Sequence, residues 1–242
     1  LKRAIIFGAT GGIGQVIANE LAADGWSLYL HYSNQEQVAN KLANQLMSQF
    51  PKQDFIAIKL DFLANNFELQ QFCKGLLPVN VVIFAQGVTN YGFFGEQDLD
   101  NLEQEMQINL ITPLKLTRLL EPCLLKYKHS RIIYLGSVYG GQASALESAY
   151  SASKAALTRF SQAYAREVAA SGLTVNILAP GAVDTPMNAI FSDDVLDEVK
   201  SEIPAGRLAS GKDISFWVKN ILQPESDYLT GQTIYITGGW LI

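Results

Sequence analysis

Ala4-Ile5-Ile6-Phe7 runs without a break into Gly8-Ala9-Thr10-Gly11-Gly12-Ile13-Gly14, after which Ile13, Val16, Ile17 and Leu21 recur at helical spacing. Four consecutive apolar residues suit a strand buried on both faces. Strand, glycine-rich turn and helix in that order form the context a dinucleotide-binding turn requires, because the free N–H groups of a helix start attract a pyrophosphate. The glycines allow a tight turn, let the backbone approach the phosphates and let the helix pack close to the sheet. Their spacing is G-x-x-x-G-x-G over Gly8, Gly12 and Gly14, not the generic G-x-G-x-x-G. Gly25 stands where the end of this helix wants a positive φ.

Outward from this unit, apolar runs and amphipathic stretches alternate, which is the signature of a βαβ series with a parallel sheet. Strands are expected at 4–7, 27–31, 54–59, 79–84, 131–135, 174–177 and 233–236, and further helices at 36–48, 68–74, 99–127, 150–170 and 214–222. The run Val81-Val82-Ile83-Phe84 is uniformly apolar, as a central parallel strand should be. No linker, repeat or composition break divides the chain, so one domain over 1–242 is expected. Only 181–211 fits no element well, and its mix of Met187, Ile190, Phe191, Val195 and Leu196 with Asp193, Asp194, Asp197 and Glu198 suits a lid with a short amphipathic helix.

The 242 residues are 48% hydrophobic and 17% charged with a net charge of −5, which argues against disorder and against nucleic acid or anionic lipid as partner. Cys73 and Cys123 belong to no C-x-x-C pair and are expected as buried, reduced core residues. His31 and His129 are the only imidazoles, too few for a three-His metal site, so no metal is expected. The longest uncharged stretch, 76–95, is broken by Pro78 and polar residues and is no membrane span. Lys2 and Arg3 precede an apolar run too short for a signal-peptide core, and a cytoplasmic protein is expected.

Tyr150-Ser151-Ala152-Ser153-Lys154 opens a helical pattern and follows Ser137, which lies just beyond the apolar run Ile132-Ile133-Tyr134-Leu135. Residues i and i+4 share a helix face, so the Tyr150 hydroxyl and the Lys154 ammonium can reach one pocket. A lone Y-x-x-x-K is ordinarily an exposed aromatic beside a solvated lysine. Here it accompanies both Ser137 and the glycine turn.

Together these residues resemble the short-chain dehydrogenase/reductase (SDR) family over essentially the whole chain. The resemblance implies a single-domain Rossmann fold, a doubly wound seven-stranded parallel α/β sheet with helices on both faces. It implies that Gly8, Gly12 and Gly14, with Thr10, Gly11 and Ile13, hold a pyrophosphate, and that Asn109, Ser137, Tyr150 and Lys154 form a catalytic tetrad. It further places Tyr32, Ser33, Asp61 and Phe62 at the adenosine end, Ala85 and Gly87 along the cofactor, and Pro180, Gly181, Val183 and Thr185 at the nicotinamide. The segments 229–232 and 237–239 resemble the last strand and a subunit contact, which implies a homotetramer or homodimer. Two positions depart from the family: Phe7 replaces a threonine, and Phe84-Ala85-Gln86-Gly87 replaces Asn-Asn-Ala-Gly, so the central strand must be braced differently.

In such a site Tyr150 is the general acid in reduction and the base in oxidation, Lys154 tunes it and holds the nicotinamide ribose, and Ser137 bonds the substrate oxygen. Asn109 is expected to hold a water linking Lys154 to solvent. A lysine about 4 Å away favours a phenolate by about 4 kcal/mol at an effective dielectric of about 20, so Lys154 is expected to lower the Tyr150 pKa. Tyr32 stands where NAD-selective relatives carry an acid, so NADP(H) is expected over NAD(H). Within the family the likeness is to bacterial 3-oxoacyl-[acyl-carrier-protein] reductases, which grip their carrier with two basic positions; one matches Lys128, the other falls at Ser171. The substrate is thus a small-molecule or carrier-linked ketone. The alternatives are another carbonyl, such as aminopentanone-modified elongation factor P, NAD-dependent alcohol oxidation, or a non-catalytic NADP sensor.

Overall fold

The computed structural model describes residues 2–186 and 192–240. Its strands are β1 (Arg3–Phe7), β2 (Ser27–Tyr32), β3 (Phe55–Lys59), β4 (Val81–Phe84), β5 (Ser130–Leu135), β6 (Leu173–Pro180) and β7 (Thr233–Ile236). All pair in parallel in one sheet of order β3-β2-β1-β4-β5-β6-β7. The order reverses between β1 and β4, and ligands of such sheets bind at the carboxyl ends of the strands beside that reversal.

The helices are α1 (Gly12–Ala23), α2 (Glu36–Gln49), α3 (Asn66–Lys74), α4 (Leu99–Met106), α5 (Thr112–Leu124), α6 (Ser148–Val168), α7 (Asp193–Glu202) and α8 (Gly211–Ile221). Alternate strand residues feed two cores. Ala4 and Ile6 of β1 pack with Ile17 and Leu21 of α1, Leu42 and Leu46 of α2, and Ile214 and Val218 of α8. Ile5 and Phe7 pack on the other face with Leu116 and Leu120 of α5 and Leu157 and Val168 of α6. Each such fully buried Leu or Ile side chain stabilises the fold by about 1.5–3 kcal/mol. Behind the sheet, the buried Arg131 donates to the carbonyls of Ile221 and Gln223 and pairs with Asp227, clamping the α8–β7 connection onto β5.

Two expectations need correction, and a third is met in part. The 99–127 pattern is not one helix: α4 and α5 are separated by a π-helical turn, Gln107–Ile111. Pro113 has no N–H to give the Asn109 carbonyl four residues earlier, so regular α-helical bonding is interrupted there. The short amphipathic helix expected in 181–211 is present as α7, begun by Asp193 and Asp194, whose charges suit a helix N-terminus; Met187, Ile190 and Phe191 lie outside the described residues. Cys73 and Cys123 are free but half-buried rather than fully buried, because α3 and α5 expose their outer edges. Burial still pushes the Cys73 thiol up to about 12.

Candidate active site

The turn after β1 is built by glycine stereochemistry. Gly8 has φ +77°, and a Cβ there would lie 2.6 Å from the Gln86 nitrogen; one on Gly14 would lie 2.1 Å from the Gly8 carbonyl oxygen. Only glycine lets α1 start this close to the strand ends. His31, at the end of β2, fixes the turn from the side: its Nδ1 accepts from the Gly8 N–H at 3.0 Å and its Nε2 donates to the Leu60 carbonyl at 3.0 Å. Those two bonds define the neutral Nε2–H tautomer, and burial holds the imidazole pKa down to about 4. No sequence pattern signals this bracing role of His31.

The two departures from the family share one explanation. His31, Phe7, Phe84 and Tyr134 stand at matching positions on four adjacent strands. Phe7 and Phe84 stack at 4.9 Å with 13° between planes, Phe84 and Tyr134 stack at 4.9 Å, and the His31 ring lies 5.2 Å from Phe7. An aromatic row thus braces the central strands where the family uses polar side chains. Tyr134 ends it on Thr117, whose Oγ1 is hydrogen-bonded to the phenol.

Beyond β5, Ser137 is extended, and its Oγ accepts from the Tyr139 N–H at 3.1 Å. Tyr150 and Lys154 lie in the first turns of α6, and Tyr150 is hydrogen-bonded to Ser137. Lys154 Nζ donates to the Leu135 carbonyl at 2.9 Å and sits 5.5 Å from the Tyr150 ring centroid. The expectation of a lowered tyrosine pKa does not hold. Burial dominates and pushes Tyr150 up to about 12, Ser137 opposing it, while burial brings Lys154 down to about 8. A buried phenolate and a buried ammonium both lack water, and desolvation outweighs their attraction at this separation.

Asn109 lies in the π-helical turn, wholly buried. Its Oδ1 accepts from the Val88 N–H at 2.9 Å and its Nδ2 donates to the Val88 carbonyl at 2.8 Å, pinning the chain beyond Gly87. A Cβ on Gly87 would lie 3.4 Å from Lys154 Nζ and 3.6 Å from Asn109 Oδ1, so the chain beyond β4 meets both side chains at Gly87. Glu105, one turn before Asn109, was not foreseen. It is buried, accepts from Asn90 Nδ2 at 3.0 Å, and has its pKa raised by burial while Lys154 pulls it down.

A cavity of about 330 Å³ opens here. Ile13, Ala85, Gly87, Ser137, Tyr150, Lys154, Pro180, Gly181, Val183 and Thr185 all line it, so the expected reacting end is assembled from five separate stretches of chain. Gly12 reaches the same corner, since a Cβ on it would lie 3.0 Å from Thr185 Cγ2. Tyr32 is the last residue of β2, and Ser33 and Asp61 stand just past the ends of β2 and β3, with Asp61 exposed and Tyr32 buried. Phe62 turns its ring into the core against Phe7 and His31. Thr10 gives its carbonyl to Gln15 Nε2 at 2.8 Å and Gly11 is the N-cap of α1. An acid does lie near Tyr32: Glu36, in the first turn of α2, hydrogen-bonds its side chain. The arrangement fits a dinucleotide. The turn leaves a cradle that a Cβ would fill, and the buried Gln86 Oε1 on the cavity wall has no partner among the described residues.

The family model for short chain dehydrogenases matches residues 2–195. The chain belongs to the short-chain dehydrogenase/reductase family. It is an NAD(P)-dependent oxidoreductase built on this family's sheet. The SDR chain is 34% identical to the uncharacterized oxidoreductase YmfI of Bacillus subtilis (strain 168), over 99% of this chain and 98% of the relative. It is 30% identical to the 3-oxoacyl-[acyl-carrier-protein] reductase FabG of Escherichia coli (strain K12), over 98% and 96%. Among solved structures, a blue fluorescent protein from a metagenomic library in complex with NADPH superposes with TM-score 0.91 at 29% identity, over 100% of this chain and 98% of that one. Lys128 and Ser171 of this SDR precede β5 and β6, at the end of the sheet opposite the cavity. Among the described residues no helix is long and apolar enough to cross a membrane.

Proposed function

We propose that this SDR reduces a ketone to a secondary alcohol with NADPH, in the manner of 3-oxoacyl-[acyl-carrier-protein] reductases. The observation that carries the reading is the convergence of Ser137, Tyr150 and Lys154 on one cavity that also contains the end of the glycine turn. Bound NADPH supplies the hydride that reaches the carbonyl carbon. Ser137 orients the carbonyl oxygen by hydrogen bonding, and the Tyr150 hydroxyl passes its proton to that oxygen. A tyrosine pKa of about 12 keeps the hydroxyl protonated at neutral pH, which suits a donor. As the proton leaves, the Lys154 ammonium stabilises the charge left on the phenol, so its contribution is largest in the transition state. Asn109 holds the Val88 backbone beside Lys154, and the interrupted helix at Gln107–Ile111 gives its carbonyl room for a water.

On this reading Gly8, Thr10, Gly11, Gly12, Ile13 and Gly14 hold the pyrophosphate, Tyr32, Ser33, Asp61 and the Phe62 backbone the adenosine end, and Val183 and Thr185 the carboxamide. The absence of an acid at Tyr32 itself and the relative in complex with NADPH support NADPH over NADH, whereas Glu36 beside Tyr32 is the group that works against a 2′-phosphate. Helix α7 acts as a lid whose Val195, Leu196 and Val199 close over the substrate. The protein works as a homodimer or homotetramer. Oxidation of NADPH and of NADH is to be followed against acetoacetyl thioesters, small diketones and sugars. NADPH-linked turnover of at least one ketone, with the higher kcat/KM for NADPH, is expected; a higher value for NADH would remove the inferred 2′-phosphate site.

A further inference from the structure

We infer that the substrate carries a cationic amine, and that Glu147 is the residue that selects it. The inference rests on the ketone-reductase reading and names the substrate class of the same cavity. Glu147 and Lys154 are the charged side chains among the described residues lining the cavity. Lys154 is buried and committed to the Leu135 carbonyl, so Glu147 is the charge that an incoming substrate meets.

The local backbone aims this carboxylate. Leu146, directly before it, has φ +66°, a conformation unfavourable for a leucine and the sole positive φ outside glycine among the described residues. The strained turn is held by the Gly92 N–H, which donates to the Leu146 carbonyl at 2.9 Å. Glu147 occupies the N-cap of α6, yet its side chain does not cap the helix. Thr89 Oγ1 donates to Oε1 at 2.9 Å, and Ser144 Oγ lies 3.3 Å from Oε2. Two hydroxyls from two loops therefore fix the carboxylate on the cavity wall, where it also opposes ionisation of Tyr150.

The surrounding surface matches a cation. Tyr91, Tyr139 and Trp240 line the same cavity, and Tyr139 meets Trp240 edge to face at 6.0 Å. A carboxylate among aromatic rings is the chemistry that recognises an ammonium, through ion pairing and cation–π attraction, and it repels an anionic substrate. A loop staple alone would need hydrogen-bond acceptors at this position but no charge.

Three ketones of matched shape test the point: 5-(dimethylamino)pentan-2-one, 6-methylheptan-2-one and 5-oxohexanoate, respectively cationic, neutral and anionic at neutral pH. Their kcat/KM values with NADPH are compared in the wild type, in Glu147→Gln, which keeps one acceptor oxygen and the shape of the group but replaces the other oxygen by an uncharged amide donor, and in Glu147→Lys. The wild type is expected to prefer the amine over the neutral ketone by about tenfold. In Glu147→Gln the ratio should collapse towards one, mainly through KM, and in Glu147→Lys the anionic ketone should become the favoured one. An amine-to-neutral ratio near one in the wild type, or a preference that survives in Glu147→Gln, overturns the inference. If none of the three is reduced, the ketone-reductase reading has failed for them. Their dissociation constants from the protein–NADPH complex then decide charge selection: tightest binding of the amine, lost in Glu147→Gln, supports it, and equal or absent binding overturns it.

Discussion

Tyr150→Phe removes one oxygen atom from a half-buried ring whose neighbours are otherwise unchanged. The variant is expected to fold and to bind the dinucleotide while kcat falls by about 10²- to 10⁴-fold, the range a general acid contributes; single-turnover rates with saturating NADPH check it, and activity within a few fold of wild type would remove Tyr150 from the mechanism. His31 gives a pH prediction with a definite sign. Its folded pKa of about 4 lies below its ordinary 6.5, so the unfolded chain takes up a proton that the folded one refuses. Stability from the neutral ring is fully present above pH 6.5 and drains away as pH falls towards 4, by at most about 3 kcal/mol. Urea unfolding of the wild type and His31→Asn at about pH 7 and about pH 4.5 should show the larger loss in the wild type. Equal losses would mean that His31 is not the group taking up the proton. Both residues were visible in the sequence, but their surroundings were not. Desolvation depends on what packs around a side chain, and for Tyr150 that reverses the direction inferred from Lys154 alone.

Among the elements, α6 and the glycine turn were legible because local rules govern them: apolar spacing, a Gly at a positive φ, a Tyr and a Lys one turn apart. The interrupted helix before α5 was also written in the sequence, as Pro113 four residues after Asn109, but the apolar spacing on either side masked it. Helix α7 was legible as a short amphipathic stretch within 181–211, but its bounds were not. Only a partner surface distinguishes so short an amphipathic segment from a loop, and none of its residues is fully buried. A helix held this lightly opens at little cost. Amide exchange over 192–202 is expected to be fast in the free protein and to slow when NADPH and a ketone analogue are added. Full protection without ligand, unchanged by ligand, would make α7 a fixed wall and not a lid.

For the whole molecule, the sheet ends on β7, whose edge strand is open, and α8 beside it exposes Phe216 and Trp217 to 58% and 38%. Tyr228 and Tyr235 are exposed in the same C-terminal region. An open strand edge flanked by large apolar side chains suits burial against a second copy. Trp217→Glu is expected to shift light-scattering mass towards the monomer with the fold intact by circular dichroism. An unchanged mass would place any subunit contact elsewhere. Only after folding does this face exist, since α8 and β7 are brought together by the clamp of Arg131 on Asp227 and the neighbouring carbonyls.

Periodicity in the sequence determined the α/β class and the seven strands, because these depend on residue types at short, regular spacings; the proposed dinucleotide turn and tetrad came from the resemblance to the short-chain dehydrogenase/reductase family. Tertiary structure alone decided that His31 would brace Gly8, that Phe7, Phe84 and Tyr134 would form one row, and that Glu147 would face the cavity. Those pairings join residues from different strands and loops. Strand order, register and the positive φ of Leu146 bring them together, and no short-range pattern encodes them.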